Sequence, residues 1–296
     1  MRREELDRID SLRAGGSLLR EQMINAMIVR YMSVRTIRSY VEAVISLARY
    51  YRQSPEKLTP NQVQEYLLYL EKVRRLAWST INIAFSAFRF LYTQVLDRPD
   101  ITFSIPPRRT VKRLPLFLSI KDVKHIINAP DNLKHRTFLL TVYGCGLRVS
   151  EAVRLKPRHI ESSPERMLMR VEQGKGRKDR YTILPEKVLQ HLRLYWESYH
   201  PGQWLFPARN RSRHMLEGTA QKIFYAAKKK AGVTKGRGIH TLRHCFASHL
   251  HEAGYDIYTI KRIMGHNSFS TTAKYLHFNP DRIKTIRSPL EDVLSA

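Results

Sequence analysis

The chain has 296 residues, with 52 Lys and Arg against 26 Asp and Glu, for a formal net charge of +26 at pH 7. At ~100–200 residues per domain this length suits two domains, and 43% hydrophobic with 26% charged residues suits a soluble chain with a real core. Such a charge excludes an ordinary neutral metabolic enzyme as the default and calls for a polyanionic partner, nucleic acid before an anionic membrane surface. A basic surface without a partner would only repel itself.

The charge is unevenly placed. Residues 1–100 carry 16 basic and 11 acidic side chains, net +5, and residues 101–296 carry 36 and 15, net +21. Two cysteines, Cys145 and Cys245, cannot supply a disulfide framework or a four-ligand structural zinc site. The simplest expectation is a reduced, intracellular compartment. No run approaches the ~18–20 apolar residues of a membrane span, and the polar opening M-R-R-E-E-L-D-R has no signal-peptide core.

Residues 1–30 are mixed in pattern. From Thr36, the spacing of Ile37, Tyr40, Val41, Val44, Leu47, Ala48 and Tyr51 predicts a helix. Thr59 reads as an N-cap, Pro60 as the first helical residue and Gln62 as the partner of a capping box. Val63, Tyr66, Leu67, Leu70 and Val73 continue that helix's stripe. A third helix is expected from Ser79 or Thr80 through Ile83, Phe85, Phe88, Phe90, Leu91 and Val95. The segment from Asp97 to Leu116 holds Pro99, Pro106, Pro107 and Pro115 among Arg108, Arg109, Lys112 and Arg113. Prolines stop helices and stiffen the chain. The segment reads as an extended basic linker following a DNA backbone, or as a plain surface loop.

Ser119 with Asp122 predicts a second capped helix start. Helical pattern runs over Arg136–Tyr143 and, past Gly144 and Gly146, over Val149–Leu155. Between 166 and 184 the period changes to two, which predicts two strands joined by the G-K-G-R-K-D turn. Helices are expected again near Glu186–Tyr199, Thr219–Ala231, Thr241–Ala253, Asp256–Met264 and Ser270–Leu276. The first domain therefore reads as a small all-α bundle and the second as mostly α with one small antiparallel sheet.

Several residues could carry chemistry. His240 and Arg243 stand three apart, so a helix would turn both toward one target. Arg offers a planar fork matched to phosphate oxygens, and His exchanges a proton near neutral pH. Alone, such a pair is an ordinary helix face. Arg148 follows a glycine turn in G-C-G-L-R-V-S-E, and Lys175 tips the hairpin G-K-G-R-K-D-R. Alone, these read equally well as a helix-start arginine and a solvated turn. His266 follows Gly265, and Tyr275 comes nine residues later in T-T-A-K-Y-L-H. A phenol of pKa ≈ 10 needs help to act as a nucleophile.

Together these motifs resemble the tyrosine recombinase (phage-integrase) family. The residues that carry the resemblance are Arg148 in G-L-R-V-S-E, Lys175 in a G-K-G hairpin, H-T-L-R-H-C-F-A-S-H, M-G-H, and Tyr275 nine residues after that last His. Order and spacing are most similar to the bacterial Xer-type branch, over residues ~20–290. The tail R-S-P-L-E-D-V is also similar to transposon-borne and integron-type integrases, although there is no room for the extra helix of integron integrases before the H-x-x-R region.

The resemblance implies a mainly α fold. Residues 1–100 would form an N-terminal helical, SAM-like core-binding domain, 101–116 the basic linker, and 117–296 a catalytic domain with a small antiparallel sheet and a tail, 281–296. It implies a site-specific recombinase or integrase that cuts and rejoins DNA through a 3′-phosphotyrosyl intermediate and a Holliday junction. Tyr275 would be the nucleophile, Arg148 and Arg243 the phosphate clamp, and Lys175 the acid for the leaving 5′-oxygen. His240 would move the tyrosine proton and His266 would hydrogen-bond the phosphate. No metal, cofactor or ATP is then required. Arg108, Arg109, Lys112 and Arg113 are expected to contact DNA. Cys245 is expected to pack, Glu151 to orient the helix or a neighbour rather than act as an acid, and His244, His249 and His277 to serve the core or a helix rim. The tail's Ile283, Ile286, Leu290, Val293 and Leu294 suit packing on their own domain or on the next protomer of a tetramer. The expected partner is double-stranded DNA with specific core sites, bound in the synaptic complex by a homotetramer of chains that are expected to be monomers in solution. The expected place is the cytoplasm, at the nucleoid. Other readings are a type IB topoisomerase-like nicking-closing enzyme, a non-catalytic DNA-binding protein, and a metal-dependent nuclease.

Overall fold

The computed structural model describes residues 9–105, 118–172, 179–266 and 268. The expectations placed on Lys175, Arg108, Arg109, Lys112, Arg113, Tyr275, His277, the 270–276 helix and the 281–296 tail lie outside the described residues. The chain divides into two compact units, Met1–Lys112 and Arg113–Ala296.

In the first unit a short helical stretch at 9–13 leads to α1, Leu18–Val29. Its start is fixed by Ser17, whose hydroxyl accepts the Arg20 N–H. Residues 1–30 gave no periodic signal because α1 is apolar on most sides: Leu19, Met23, Ile24 and Met27 are buried while Leu18 and Val29 are exposed. Helix α2, Val34–Tyr51, begins two residues before the expected Thr36, because Ser33 is the cap and receives the Thr36 N–H. Helix α3, Pro60–Lys72, carries the expected capping box between Thr59 and Gln62. Helix α4, Trp78–Gln94, starts without a side-chain cap. Its buried face is Ile81, Ala84, Ala87, Phe88, Phe90, Leu91 and Tyr92. Val73 and Ile83, counted in the apolar stripes, are exposed.

Two clusters fill this unit. One gathers Leu47, Val63, Tyr66, Phe88 and Tyr92. The other gathers Met23, Ile24, Met27, Ile37 and Leu91 against α1. The buried Tyr92 hydroxyl donates to the Pro55 carbonyl at 2.7 Å, so its polar end is satisfied inside the core.

The second unit opens with α5, Ile120–Asn128, behind the expected Ser119–Asp122 capping box. Helix α6, Leu133–Gly144, starts three residues before the expected Arg136 because the Asn132 side chain accepts the His135 N–H. Helix α7 is four residues long, Val149–Ala152, rather than reaching Leu155. Lys156 precedes Pro157 and is extended (ψ 153°), a conformation the proline ring imposes on its predecessor.

The sheet has three antiparallel strands, β1 Ile160–Glu161, β2 Leu168–Val171 and β3 Arg180–Ile183, in that order. Two strands were expected, and β1 is too short to show a period. In β2–β3 the register pairs Met169 with Thr182 and Val171 with Arg180. Met169 and Val171 face the core, as their alternation with the exposed Arg170 requires.

The unit closes with α8 Glu186–Tyr199, α9 Glu217–Lys230, α10 His240–Glu252 and α11 Ile257–Met264. Each lies within two residues of its expected span. Its core packs Phe138, Tyr195, Phe206, Phe224, Met169 and Leu242 together. A smaller cluster of Phe246, Ala247, Ile260 and Met264 joins α10 to α11. Among the described residues no helix is long and apolar enough to cross a membrane.

The turn from α6 into α7 depends on Gly146. Its φ is +59°, and a Cβ there would lie 2.4 Å from the Phe246 ring. Gly232 also has a left-handed φ, +67°, but faces open space. Gly232→Ala should therefore cost only about 1 kcal/mol of backbone strain, whereas Gly146→Ala should cost roughly 3 kcal/mol through strain plus overpacking. Denaturant midpoints of the two variants check this. Equal costs would show that the Phe246 contact is not limiting.

Candidate active site

The site is built around one buried carboxylate. Glu151 lies on α7, three residues after Arg148, and is 8% exposed. Its Oε2 accepts the Arg148 backbone N–H at 2.8 Å, and its Oε1 accepts from Arg148 Nη1 at 2.8 Å. Arg180, the first residue of β3, donates from Nη1 to Oε1 and from Nη2 to Oε2, both at 2.8 Å. Arg243 on α10 brings Nη1 to 3.5 Å from Oε2. Burial raises the pKa of Glu151, but Arg180, the Arg148 N–H and Arg243 outweigh it and hold the carboxyl at about 2. It is ionised at any physiological pH.

The same three arginines cap the end of α11. The last carbonyls of a helix have no partner within it. Here Arg180 Nε donates to the Ile263 carbonyl at 3.2 Å, Arg243 Nη2 donates to the Met264 carbonyl, and Arg148 Nη2 donates to the Gly265 carbonyl at 3.2 Å. Gly265 ends the helix in a left-handed conformation. Arg243 also donates from Nη1 to the Gly146 carbonyl at 2.5 Å.

His266 follows directly and is buried. Its Nε2 is 3.2 Å from Arg243 Nη2. A guanidinium can only donate, so Nε2 accepts and the ring proton sits on Nδ1. Burial, then Arg243, Arg148, Arg180 and His244, pull its pKa down to about 3, so the ring is neutral. Three guanidiniums and one carboxylate leave a local charge of +2, most of it shielded from water. Such a pocket is prepared for an anion that gains charge as it reacts.

The structure thus brings together Arg148, Arg243 and His266 of the six expected catalytic residues. His240 opens α10 one turn before Arg243 and is exposed, so the shared face runs from the interior to the rim. The protein crowding its ring, with Arg243 and Arg148, lowers its pKa below the usual histidine value, while Glu217 and Glu151 act in the opposite sense. Lys175 and Tyr275 lie outside the described residues.

Arg180 was not singled out from the sequence. The motif G-K-G-R-K-D-R contains it, and the period-two pattern places it at a strand start, but its partner stands 29 residues earlier. Glu151 was read as orienting a neighbour, and it pairs with three. Cys245 is buried with its thiol pushed up to about 11, as expected of a packing residue. His249 ties α10 to α6 and to the start of the unit, through the Tyr143 hydroxyl at 2.9 Å and the Leu118 carbonyl at 3.0 Å. His244 is exposed on α10.

Comparison with known proteins places the chain in a family. Residues 117–282 match the phage integrase family and residues 19–101 match the phage integrase N-terminal SAM-like domain. The Sinorhizobium fredii protein y4qK, provisionally named an integrase/recombinase, is 38% identical over 274 residues, covering 92% of this chain and 88% of that protein. A tyrosine recombinase of Thermosipho africanus is 30% identical over 84% of this chain and 90% of its own length. Among solved structures, XerH recombinase bound to its difH substrate before cleavage shares the fold with a TM-score of 0.73. It is 17% identical, with 96% of this chain and 87% of that one covered. The chain belongs to the phage integrase family and is a tyrosine-type site-specific DNA recombinase of the Xer type.

Proposed function

We propose that Arg148, Arg243 and His266, held in the cluster that Glu151 and Arg180 complete, bind the scissile phosphate of a DNA core site and that Tyr275 attacks it. The observation that carries this is the buried surplus of two positive charges beside a neutral His266. A phosphodiester carries one negative charge and its transition state approaches two, so the pocket favours the transition state over the ground state.

In this reading the Tyr275 oxygen forms a bond to phosphorus and the bond from phosphorus to the 5′-oxygen breaks. His240 takes the phenolic proton, and Lys175 gives a proton to the departing 5′-oxygen. Arg148 and Arg243 hold the non-bridging oxygens, and the His266 Nδ1–H donates to one of them. The products are a 3′-phosphotyrosine and a free 5′-hydroxyl. One phosphodiester is exchanged for another, so the 5′-hydroxyl of a second duplex can reverse the step without ATP. Two such exchanges pass through a Holliday junction. The steps proceed without a bound metal, because the charge comes from side chains.

The same reading gives the rest of the chain its work. Residues 1–100 clamp the duplex, and Arg108, Arg109, Lys112 and Arg113 in 101–116 follow its phosphates. Residues 117–296 hold the chemistry, and the 281–296 tail docks on the next copy in a synaptic homotetramer of chains that are monomeric in solution. The substrate is the DNA of a mobile element, in the cytoplasm at the nucleoid.

Three outcomes test this. On nicked duplexes tiled across the DNA flanking its gene, the full chain should form a covalent adduct on denaturing gels. Tyr275→Phe should form none while binding the same duplex with a Kd within about twofold, because the lost hydroxyl serves attack and not affinity. An adduct retained in that variant overturns the assignment of the nucleophile.

His240 must be neutral to accept a proton, and its folded pKa lies below the usual ~6.5. The base form is therefore already the majority at pH ~6.5, and its midpoint of loss lies below that value. The rate of adduct formation should be level near pH 8 and fall on an acid limb whose midpoint lies below pH ~6.5, and His240→Gln should remove that limb. A limb centred above pH 7 contradicts the role.

Removing residues 281–296 should weaken recombination between two sites by at least about tenfold while leaving binding to one site unchanged, since a heterologous contact serves only the assembly. Unchanged recombination sinks the docking role.

A further inference from the structure

Glu151 has two oxygens and about four lone-pair positions. Arg148 fills two of them, with its backbone N–H and Nη1, and Arg180 fills the other two with its paired Nη groups, all at 2.8 Å. Arg243 Nη1, at 3.5 Å from Oε2, keeps the charge attraction without a strong hydrogen bond. Arg180 is 12% exposed in its side chain. Its third donor is spent on the Ile263 carbonyl, and its stem lies against Gly265, where a Cβ would come within 2.6 Å of Cδ. All its donors named here face the protein.

We infer that Arg180 is a positioning residue of the cleavage step: by occupying both oxygens of Glu151 it keeps that carboxylate from drawing Arg243, and the remaining donors of Arg148, away from the phosphate. This rests on the reading of the cluster as the phosphate site. Without Arg180, Glu151 remains a buried anion with two open acceptor positions, and Arg148 and Arg243 are the cations beside it. A carboxylate and a phosphate want the same guanidinium forks. Arg180 settles the competition by serving as the carboxylate's own partner. It also braces the turn whose carbonyls orient the other two arginines.

The reading has a signature that a plain structural role lacks. If Glu151 becomes the competitor when Arg180 is lost, then removing its charge should help a protein already damaged. The assay is the rate of adduct formation at saturating protein, on whichever flanking nicked duplex the wild-type chain traps, with the duplex Kd and thermal unfolding measured alongside. Arg180→Met should slow cleavage about 100-fold, in the range of losing one transition-state donor, with Kd within about twofold. Adding Glu151→Gln should raise that rate again by about tenfold, since the neutral amide keeps one acceptor oxygen and removes the charge that draws the two arginines. Arg180→Lys, a single point donor, should fall between wild type and Arg180→Met.

Arg180→Met cleaving within about threefold of wild type overturns the inference. So does a double variant no faster than Arg180→Met, the result expected if Arg180 touched the phosphate itself or served folding alone. If Arg180→Met does not fold, Arg180→Lys with and without Glu151→Gln makes the same comparison and decides it in the same way. A wild-type chain that traps no duplex overturns the phosphate-site reading itself, and the inference falls with it. A wild-type chain that traps one, beside an unaffected Arg180→Met, overturns the role of Arg180 alone.

Discussion

The interaction on which the second unit depends is the burial of one carboxylate among three guanidiniums. An isolated ionised carboxylate is far too costly to bury, and an isolated arginine is no better. Glu151 and its partners ease both problems at once, because every guanidinium has the carboxylate beside it and both carboxylate oxygens accept hydrogen bonds. The arithmetic is deliberately unequal. One negative charge among three positive ones leaves a surplus that the fold alone does not neutralise. Stability uses the pairs, and function uses the remainder.

This arrangement also explains why so short a helix as α7 matters. It has only four residues, yet it carries both Arg148 and Glu151. Gly146 gives the turn that aims it, at a φ that an L side chain rarely adopts. The Gly146 carbonyl then accepts from Arg243 at 2.5 Å. The glycine therefore serves twice, once through the conformation it permits and once through the oxygen that conformation presents.

Much of the fold was legible in the sequence because its signals are local. The capping boxes at Thr59 and Ser119 need only partners three residues away, and both are present. The alternation of Met169 and Val171 with Arg170 needs only the pleat of one strand. Helix α1 was illegible because its apolar residues surround it, and β1 because two residues make no period. The site was legible in part for a different reason: the motifs of Arg148, His240, Arg243 and His266 match a family pattern. What joins them was not. Arg180 meets Glu151 across 29 residues, Arg243 meets Gly146 across 97, and Arg148 meets Gly265 across 117. Only tertiary packing decides such encounters, so no window of the sequence contains them.

The arginines reach the end of α11 through three consecutive main-chain carbonyls, those of Ile263, Met264 and Gly265. A carbonyl is the same in every residue. The recognition there is thus written in the path of the backbone and not in the side chains that decorate it. Positions 263 and 264 need only apolar side chains that fit the cluster there, while a single inserted or deleted residue would shift all three oxygens out of register together. Over evolutionary time this turn should tolerate many spellings and only one length.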